Sequence, residues 1–245
     1  MTIGEELSKA FYIARKDMRV YYFKAPNFTY GLLMPVALYL AFSVSGTLSP
    51  ATLISGLVSL VILFGTMSIE AVSVVLEKQT GTFERLLAAP VSLIGLILGK
   101  ALAGFAIGPL TAVAVLIPVS LFSGTSVQSP LTVFIAICVS SFTFASMGIL
   151  VSCFARWTPE AQMYSNFFRF PMAFLSGTFI PVESMPQFLQ LFSKLLPLTY
   201  SIDAIREGLN TPFVTVSYII DLGVLILFSA AFMLASARVL DRQLS

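Results

Sequence analysis

Leu76-Glu77-Lys78-Gln79-Thr80-Gly81-Thr82-Phe83-Glu84-Arg85-Leu86-Leu87-Ala88-Ala89-Pro90 is a charged, helix-prone island between two long apolar runs in a chain otherwise poor in charge. A connection that only joined two membrane spans could be short, polar and rich in glycine. This one sets acidic and basic side chains at helical spacing and stops at a proline. The island reads as a handle for a soluble partner at the edge of a membrane-embedded body.

Working outward, composition supports that body. Hydrophobic residues make up 57% of the 245 and charged residues only 11%, too little polar surface to cover a soluble globule of this size. The chain has no His, and Cys138 and Cys153 lie inside apolar runs without a CxxC pair, which removes most zinc and haem arrangements. Without His there is no Ser/His/Asp set, and no acidic cluster has metal-site spacing, so nothing marks an enzyme or a metal site. About 26 residues of mixed charge precede the first apolar run, longer than the n-region of a signal peptide, so the first span is read as retained despite the small residues Ser43-Val44-Ser45.

A span needs about 20 mostly apolar residues. Six stretches qualify, near 28–48, 52–75, 101–123, 130–153, 163–181 and 216–237, and the expected fold class is all-α integral membrane, a single domain over 1–245. Lys9, Arg15, Lys16, Arg19 and Lys24 precede the first, Lys78, Arg85 and Lys100 bracket the second loop, Arg156 lies in the fourth, and Arg238 and Arg242 end the chain. Positive charge inside then puts both termini in the cytoplasm.

Within 1–26, Leu7, Phe11, Ala14, Met18 and Tyr22 recur at helical spacing opposite Lys9, Lys16 and Arg19, which predicts an amphipathic helix lying on membrane lipid. Between the last two spans, 181–212 predicts an outer, re-entrant helical hairpin. One short helix starts near Pro186 and stops by Pro197; a second runs from about Thr199 to Leu209 with Asp203 and Arg206 at i, i+3. It serves either as a lid over an exit or as packing on the outer leaflet.

Ion-driven carriers keep ionisable groups at mid-membrane. Here the exceptions are Glu70, Arg169, shallow if its span begins near Ala161, and Asp221. Each either lines a path or pairs structurally. Gly95 to Ala101 imitates a phosphate loop, but it is one residue short between the glycines and lacks the hydroxyl that follows the lysine. Gly95, Gly99, Gly104 and Gly108 fit close helix packing better.

The island, with Glu77, Gly81-Thr82-Phe83-Glu84, Leu86-Leu87, Pro90 and then Gly99-Lys100, resembles the signature of ABC-2 type export permeases. A second block supports it: Phe174-Leu175-Ser176-Gly177-Thr178-Phe179-Ile180-Pro181, Met185-Pro186, Leu196-Pro197-Leu198-Thr199-Tyr200 and Asp203-Ala204-Ile205-Arg206 resemble the family's fifth-span exit and outer hairpin.

The resemblance implies a six-helix permease of the cell membrane, prokaryotic, pairing with a second copy and with two ATP-binding cassette subunits that carry the ATP and magnesium. No cofactor on this chain and no nucleic-acid partner is expected. Residues 77–99 become a cytoplasmic coupling loop, with Glu77, Gly81, Glu84, Arg85 and Pro90 as contact positions. Gly177, Pro181, Pro186, Pro197, Tyr200, Asp203 and Arg206 become the outer exit. Seven residues apart, Glu77 and Glu84 are expected on one helix face, Lys78 and Arg85 alongside, and Gly81 at a bend. Gln79 departs from the pattern, where the family often has a second acid. The implied activity is drug- or antibiotic-like efflux. The alternatives are lipid-linked polysaccharide export or, from other classes, a gradient-driven carrier or a membrane scaffold.

Overall fold

The computed structural model describes residues 3–17, 33, 36–37, 40–41, 49–89 and 91–244. The expected first span, 28–48, lies almost wholly outside the described residues, as do Met18, Arg19, Tyr22, Lys24 and Pro90. Every regular element among the described residues is helical: α1 (Ile3–Asp17), α2 (Pro50–Gln79), α3 (Thr82–Leu87), α4 (Leu93–Ser123), α5 (Pro130–Phe154) and α6 (Thr158–Leu175). A short 3-10 turn, Val182–Ser184, leads into α7 (Gln187–Ser193), α8 (Pro197–Asn210) and α9 (Val216–Leu244).

The helices start where local chemistry dictates. Ser49 accepts from Thr52 N at 3.3 Å with Pro50 at the first helical position. Ser92 caps α4 by accepting from Gly95 N at 3.0 Å, so the phosphate-loop look-alike is the first turn of a plain helix. Among the described residues, Pro50–Gln79, Leu93–Ser123, Pro130–Phe154 and Val216–Gln243 are long and apolar enough to cross a bilayer. A 30-residue helix rises about 45 Å, more than the hydrocarbon core requires.

The expected fifth span differs. Its helix, α6, runs from Thr158 to Leu175, earlier at both ends than 163–181. It is not among those four long apolar helices, because Glu160, Gln162, Asn166 and Arg169 dilute it. Ser176 N closes the last turn on Met172 O at 3.0 Å, and Gly177 at φ +86° turns the chain toward Pro181.

α2 is the axis of the bundle, buried round most of its circumference, and α4, α5, α6 and α8 pack on it. Small residues set the spacing. A Cβ on Gly104 would lie 2.7 Å from Glu70 Oε1 and 2.8 Å from Ala145 Cβ, and one on Gly148 would lie 2.6 Å from Met67 O. Neither α4 nor α5 reaches α2 this closely with a larger side chain.

α1 divides the expected stripe. Its inward face is Ala10, Ile13, Ala14 and Asp17, laid on α4, while Phe11 and Tyr12 are exposed at 61% and 66%. Phe11 of the stripe expected to face lipid stays on the outer surface, while Ala14 is taken inside against α4. Small residues on α1 are what let it meet the glycines of α4 closely, so the bulky apolar side chains are left outside.

Candidate functional site

The lower end of α2 carries the island's first half, and there Glu77 is fully buried. Lys16 Nζ lies 2.6 Å from Glu77 Oε1 and 3.0 Å from Asp17 Oδ1. Lys100 Nζ donates to Asp17 Oδ2 at 2.9 Å and pairs with the second Glu77 oxygen. Asp17 and Lys100 are buried as completely as Glu77, and only Lys16 reaches solvent. Two ammoniums face two carboxylates, so the desolvation of each charge is offset by two opposite neighbours.

This cluster ties α1, α2 and α4 into one block, and Gly99 makes the approach possible. A Cβ there would sit 2.8 Å from Ala10 O. Sequence reasoning missed Asp17, and read Lys16 as a marker of sidedness on the polar face of an interfacial helix and Lys100 as a marker of sidedness ending the family signature. A lone lysine after Gly99 at the start of an apolar helix was the available signal, because a buried ammonium needs an acid from elsewhere.

The second half of the island turns away. α2 continues to Gln79, Thr80 N and Gly81 N close on Leu76 O and Lys78 O at 3.0 and 3.3 Å, and Gly81 takes φ +68°. Glu77 and Glu84 therefore do not share a face, which corrects the seven-residue argument: a left-handed glycine between them breaks the helical period. Phe83 is buried against Val74, Ile97 and Ile149 and pins α3, leaving Glu84 and Arg85 exposed. Lys78 lies alongside the bend rather than on a docking face, its Nζ donating to Ser152 O at 3.1 Å and lying 5.6 Å from the centre of the Phe83 ring.

Gln79 has a structural use for its amide. It donates to Arg156 O at 3.3 Å and accepts from Thr158 Oγ1 at 3.2 Å, joining the end of α2 to the α5–α6 turn. A carboxylate would keep the second bond and lose the first. A cavity of about 490 Å³ opens beside this join, lined by Lys78, Gln79, Phe83, Glu84 and Arg156 together with the end of α9. The geometry provides a short helix anchored by Phe83, with an exposed carboxylate and guanidinium and a hollow of mixed polar and apolar lining beside it.

The three charged residues of the spans lie at three different helix contacts. Glu70 is buried where α2 meets Gly104 and Gly148. Arg169 is fully buried inside the protein: it donates to Ser165 O at 3.2 Å, Phe64 O at 3.3 Å, Asn166 Oδ1 at 2.7 Å and Ser68 Oγ, and lies over the Phe64 ring at 4.7 Å. The guanidinium fastens α6 to the middle of α2. Asp221 sits between α9 and α8.

In the hairpin, Pro186 and Pro197 stand at the starts of α7 and α8, and a Cβ on Gly177 would lie 3.0 Å from Val182 Cγ2 beside Pro181. Tyr200 donates its hydroxyl to Lys194 O at 2.7 Å, and Arg206 pairs with Asp203 at 2.5 Å.

Comparison with known proteins identifies the family. The family model for the ABC-2 type transporter matches residues 7–210. Nodulation protein J of Neorhizobium galegae is 31% identical over 175 residues, 67% of this chain and 62% of that protein. ABC transporter G family member 20 of Dictyostelium discoideum is 28% identical over 179 residues, 70% and 24% respectively. The probable multidrug ABC transporter permease YbhR of Escherichia coli is 24% identical over 155 residues, 63% and 42%. The alignments span from about a quarter to three fifths of these relatives' own lengths. With a match over most of its length, the chain belongs to the ABC-2 type transporter family.

Proposed function

We propose that this chain is the membrane-spanning permease subunit of an ATP-driven exporter in a prokaryotic cell membrane, with six spans, both termini cytoplasmic, and a second copy completing the pathway. Hydrolysis of ATP with magnesium belongs to separate cassette subunits, two per assembly. The observation that carries this reading is α3: six residues, anchored by buried Phe83 and set off by Gly81, presenting Glu84 and Arg85 to solvent at the lower end of α2. A short helix held this way moves as a unit with α2. Glu77, through Lys16 and Lys100, passes that movement to α1 and α4.

The substrate class is hydrophobic or amphiphilic and drug-like. Supporting it is a cleft of about 620 Å³ between α5, α6 and α9, lined almost entirely by apolar groups including Met147, Phe154, Met163, Phe167 and Phe168. Lipid-linked polysaccharide export is the second reading. It is favoured by the aromatic face of α6, where Phe167 is 72% exposed and Phe168 and Phe174 each 45%.

Purification of the tagged chain from its host in mild detergent tests the reading. A cassette ATPase with vanadate-sensitive hydrolysis is expected to accompany the wild type and to be lost with Glu84→Lys, while membrane insertion is unchanged. Full association with that variant would remove α3 from the contact. Absence of any ATPase would return the chain to a gradient-driven carrier or a scaffold.

A further inference from the structure

The turn between α5 and α6 brings an apolar cleft and an unpaired cation to one corner of the bundle. The cleft of about 620 Å³ is walled by Met147, Leu150 and Phe154 of α5, Met163 and Phe167 of α6 and Phe232 of α9, with no charged group in its wall among the described residues. Its rim is open, for Phe154, Met163 and Phe167 are all exposed. From Met147 to Phe154 the helix rises about 10 Å, less than the roughly 15 Å of hydrocarbon in one leaflet. A side opening of that height, on the apolar surface of a membrane bundle, faces the acyl chains of a single leaflet.

The cleft ends where the charge begins. Phe154 and Arg156 are two residues apart, so their Cα atoms lie within about 7 Å of each other. The backbone of Arg156 is held on both sides, its N donating to Glu160 Oε2 at 2.9 Å and its O accepting from Gln79 Nε2 at 3.3 Å. Trp157 N donates to the same Glu160 oxygen at 3.4 Å, so that acid serves the turn itself. The exposed Arg156 guanidinium has no hydrogen bond or ion pair among the described residues, and Glu84 lines the same hollow without pairing with it. Trp157, the sole tryptophan of the chain, is exposed beside it, as indoles are at a membrane–water boundary. Hydrocarbon within and a free guanidinium at the polar end complement an amphiphile with an anionic head.

We propose that this cleft binds an acyl chain of an anionic phospholipid from the leaflet on the α3 side, with Arg156 holding the phosphate and Trp157 lying against the headgroup. Gln79 joins the turn to the end of α2, which places the headgroup beside the segment that leads into α3. The lipid is bound rather than moved. The site goes beyond the export reading: it stands whether or not a cassette docks on α3, and a transported amphiphile would enter by displacing the lipid.

Trp157 supplies the readout. The full chain is reconstituted into phosphatidylcholine vesicles containing rising fractions of a phospholipid brominated in its acyl chains, either phosphatidylglycerol or phosphatidylcholine, and quenching of tryptophan fluorescence is followed. Half-quenching is expected at about a fivefold lower mole fraction of the brominated phosphatidylglycerol, the factor that one cation at an anionic surface supplies. Arg156→Gln and, separately, the cleft-filling Leu150→Phe are each expected to bring the two midpoints together; Met163→Phe takes the place of Leu150→Phe should that variant fail to fold. Equal midpoints in the wild type, or a preference for phosphatidylglycerol that survives either variant, would overturn the site. So would quenching by neither lipid, which would mean that protein, such as a second copy of the chain, covers the turn. No cassette and no transported molecule is present in the vesicles, so the result is separate from the test of export.

Discussion

The two ends of this bundle handle buried charge in opposite ways. At the lower end, Lys16 and Lys100 meet Asp17 and Glu77, two cations for two anions, with the contacts between oppositely charged atoms at hydrogen-bond distance. At the outer end, Asp203, Glu207 and Asp221 share the single guanidinium of Arg206. The lower cluster gives each of its four charges two opposite neighbours and joins three helices. At the other end acids outnumber cations across the contact of α8 with α9.

The most direct way to break the comparison is Lys100→Met, which leaves Asp17 and Glu77 buried with Lys16 alone. Removing one partner from a buried ion cluster costs about 3–5 kcal/mol, so a large drop in thermal midpoint and yield is expected in detergent. Adding Asp17→Asn should recover part of it. A Lys100→Met chain as stable as the wild type would mean that the lower end is as adjustable as the outer one.

Gly99→Val tests the lower end without touching a charge. Its Cβ would meet Ala10 O and Ile13 Cβ, at 2.8 and 3.0 Å. Overpacking of this kind costs about 1–3 kcal/mol, and α1 is expected to detach, read as new proteolytic cleavage between α1 and α2.

The outer end should respond to pH instead. Burial, and then the charge of Asp203, raises the Glu207 carboxyl above the ordinary carboxylate range, against the opposing charge of Arg206. Burial likewise raises Asp203, opposed first by Arg206. A carboxyl raised in the folded state binds its proton more tightly there than in the unfolded chain. Its stabilising contribution is therefore complete below the ordinary carboxylate value and is lost as pH rises through the raised one. Thermal midpoints measured upward from that ordinary value should decline in the wild type and decline less in Glu207→Gln; an identical decline would place the titrating group elsewhere. The smallest effect is expected from Gln79→Glu. Loss of one partly exposed amide bond to Arg156 O is worth about 1 kcal/mol or less, and a midpoint shift comparable to that of Lys100→Met would mean the α5–α6 turn matters more than the geometry indicates.

Much of the architecture was legible in the residues. Long apolar runs between charged connections demanded membrane helices because an unpaired backbone is too costly in lipid, and four of the expected six appear among the described residues as long apolar helices. Gly81 and Pro186 marked a turn and a helix start through restrictions on φ that act within a few residues, whereas Pro197, read as a stop with the next helix from about Thr199, is itself the first residue of α8. The i, i+3 spacing of Asp203 and Arg206 foretold their pairing.

What the sequence by itself determined was therefore local or compositional: the membrane class, the island, the glycine packing stripe and the family signature. Only the tertiary structure decided which charges are buried together. Lys100 and Asp17 are 83 residues apart, and Arg169 reaches Phe64 O across 105. No periodicity records such pairs, because a charge is made tolerable in a low dielectric by whichever groups the packing of other helices brings to it. For the same reason Glu77 read as a contact position and lies buried.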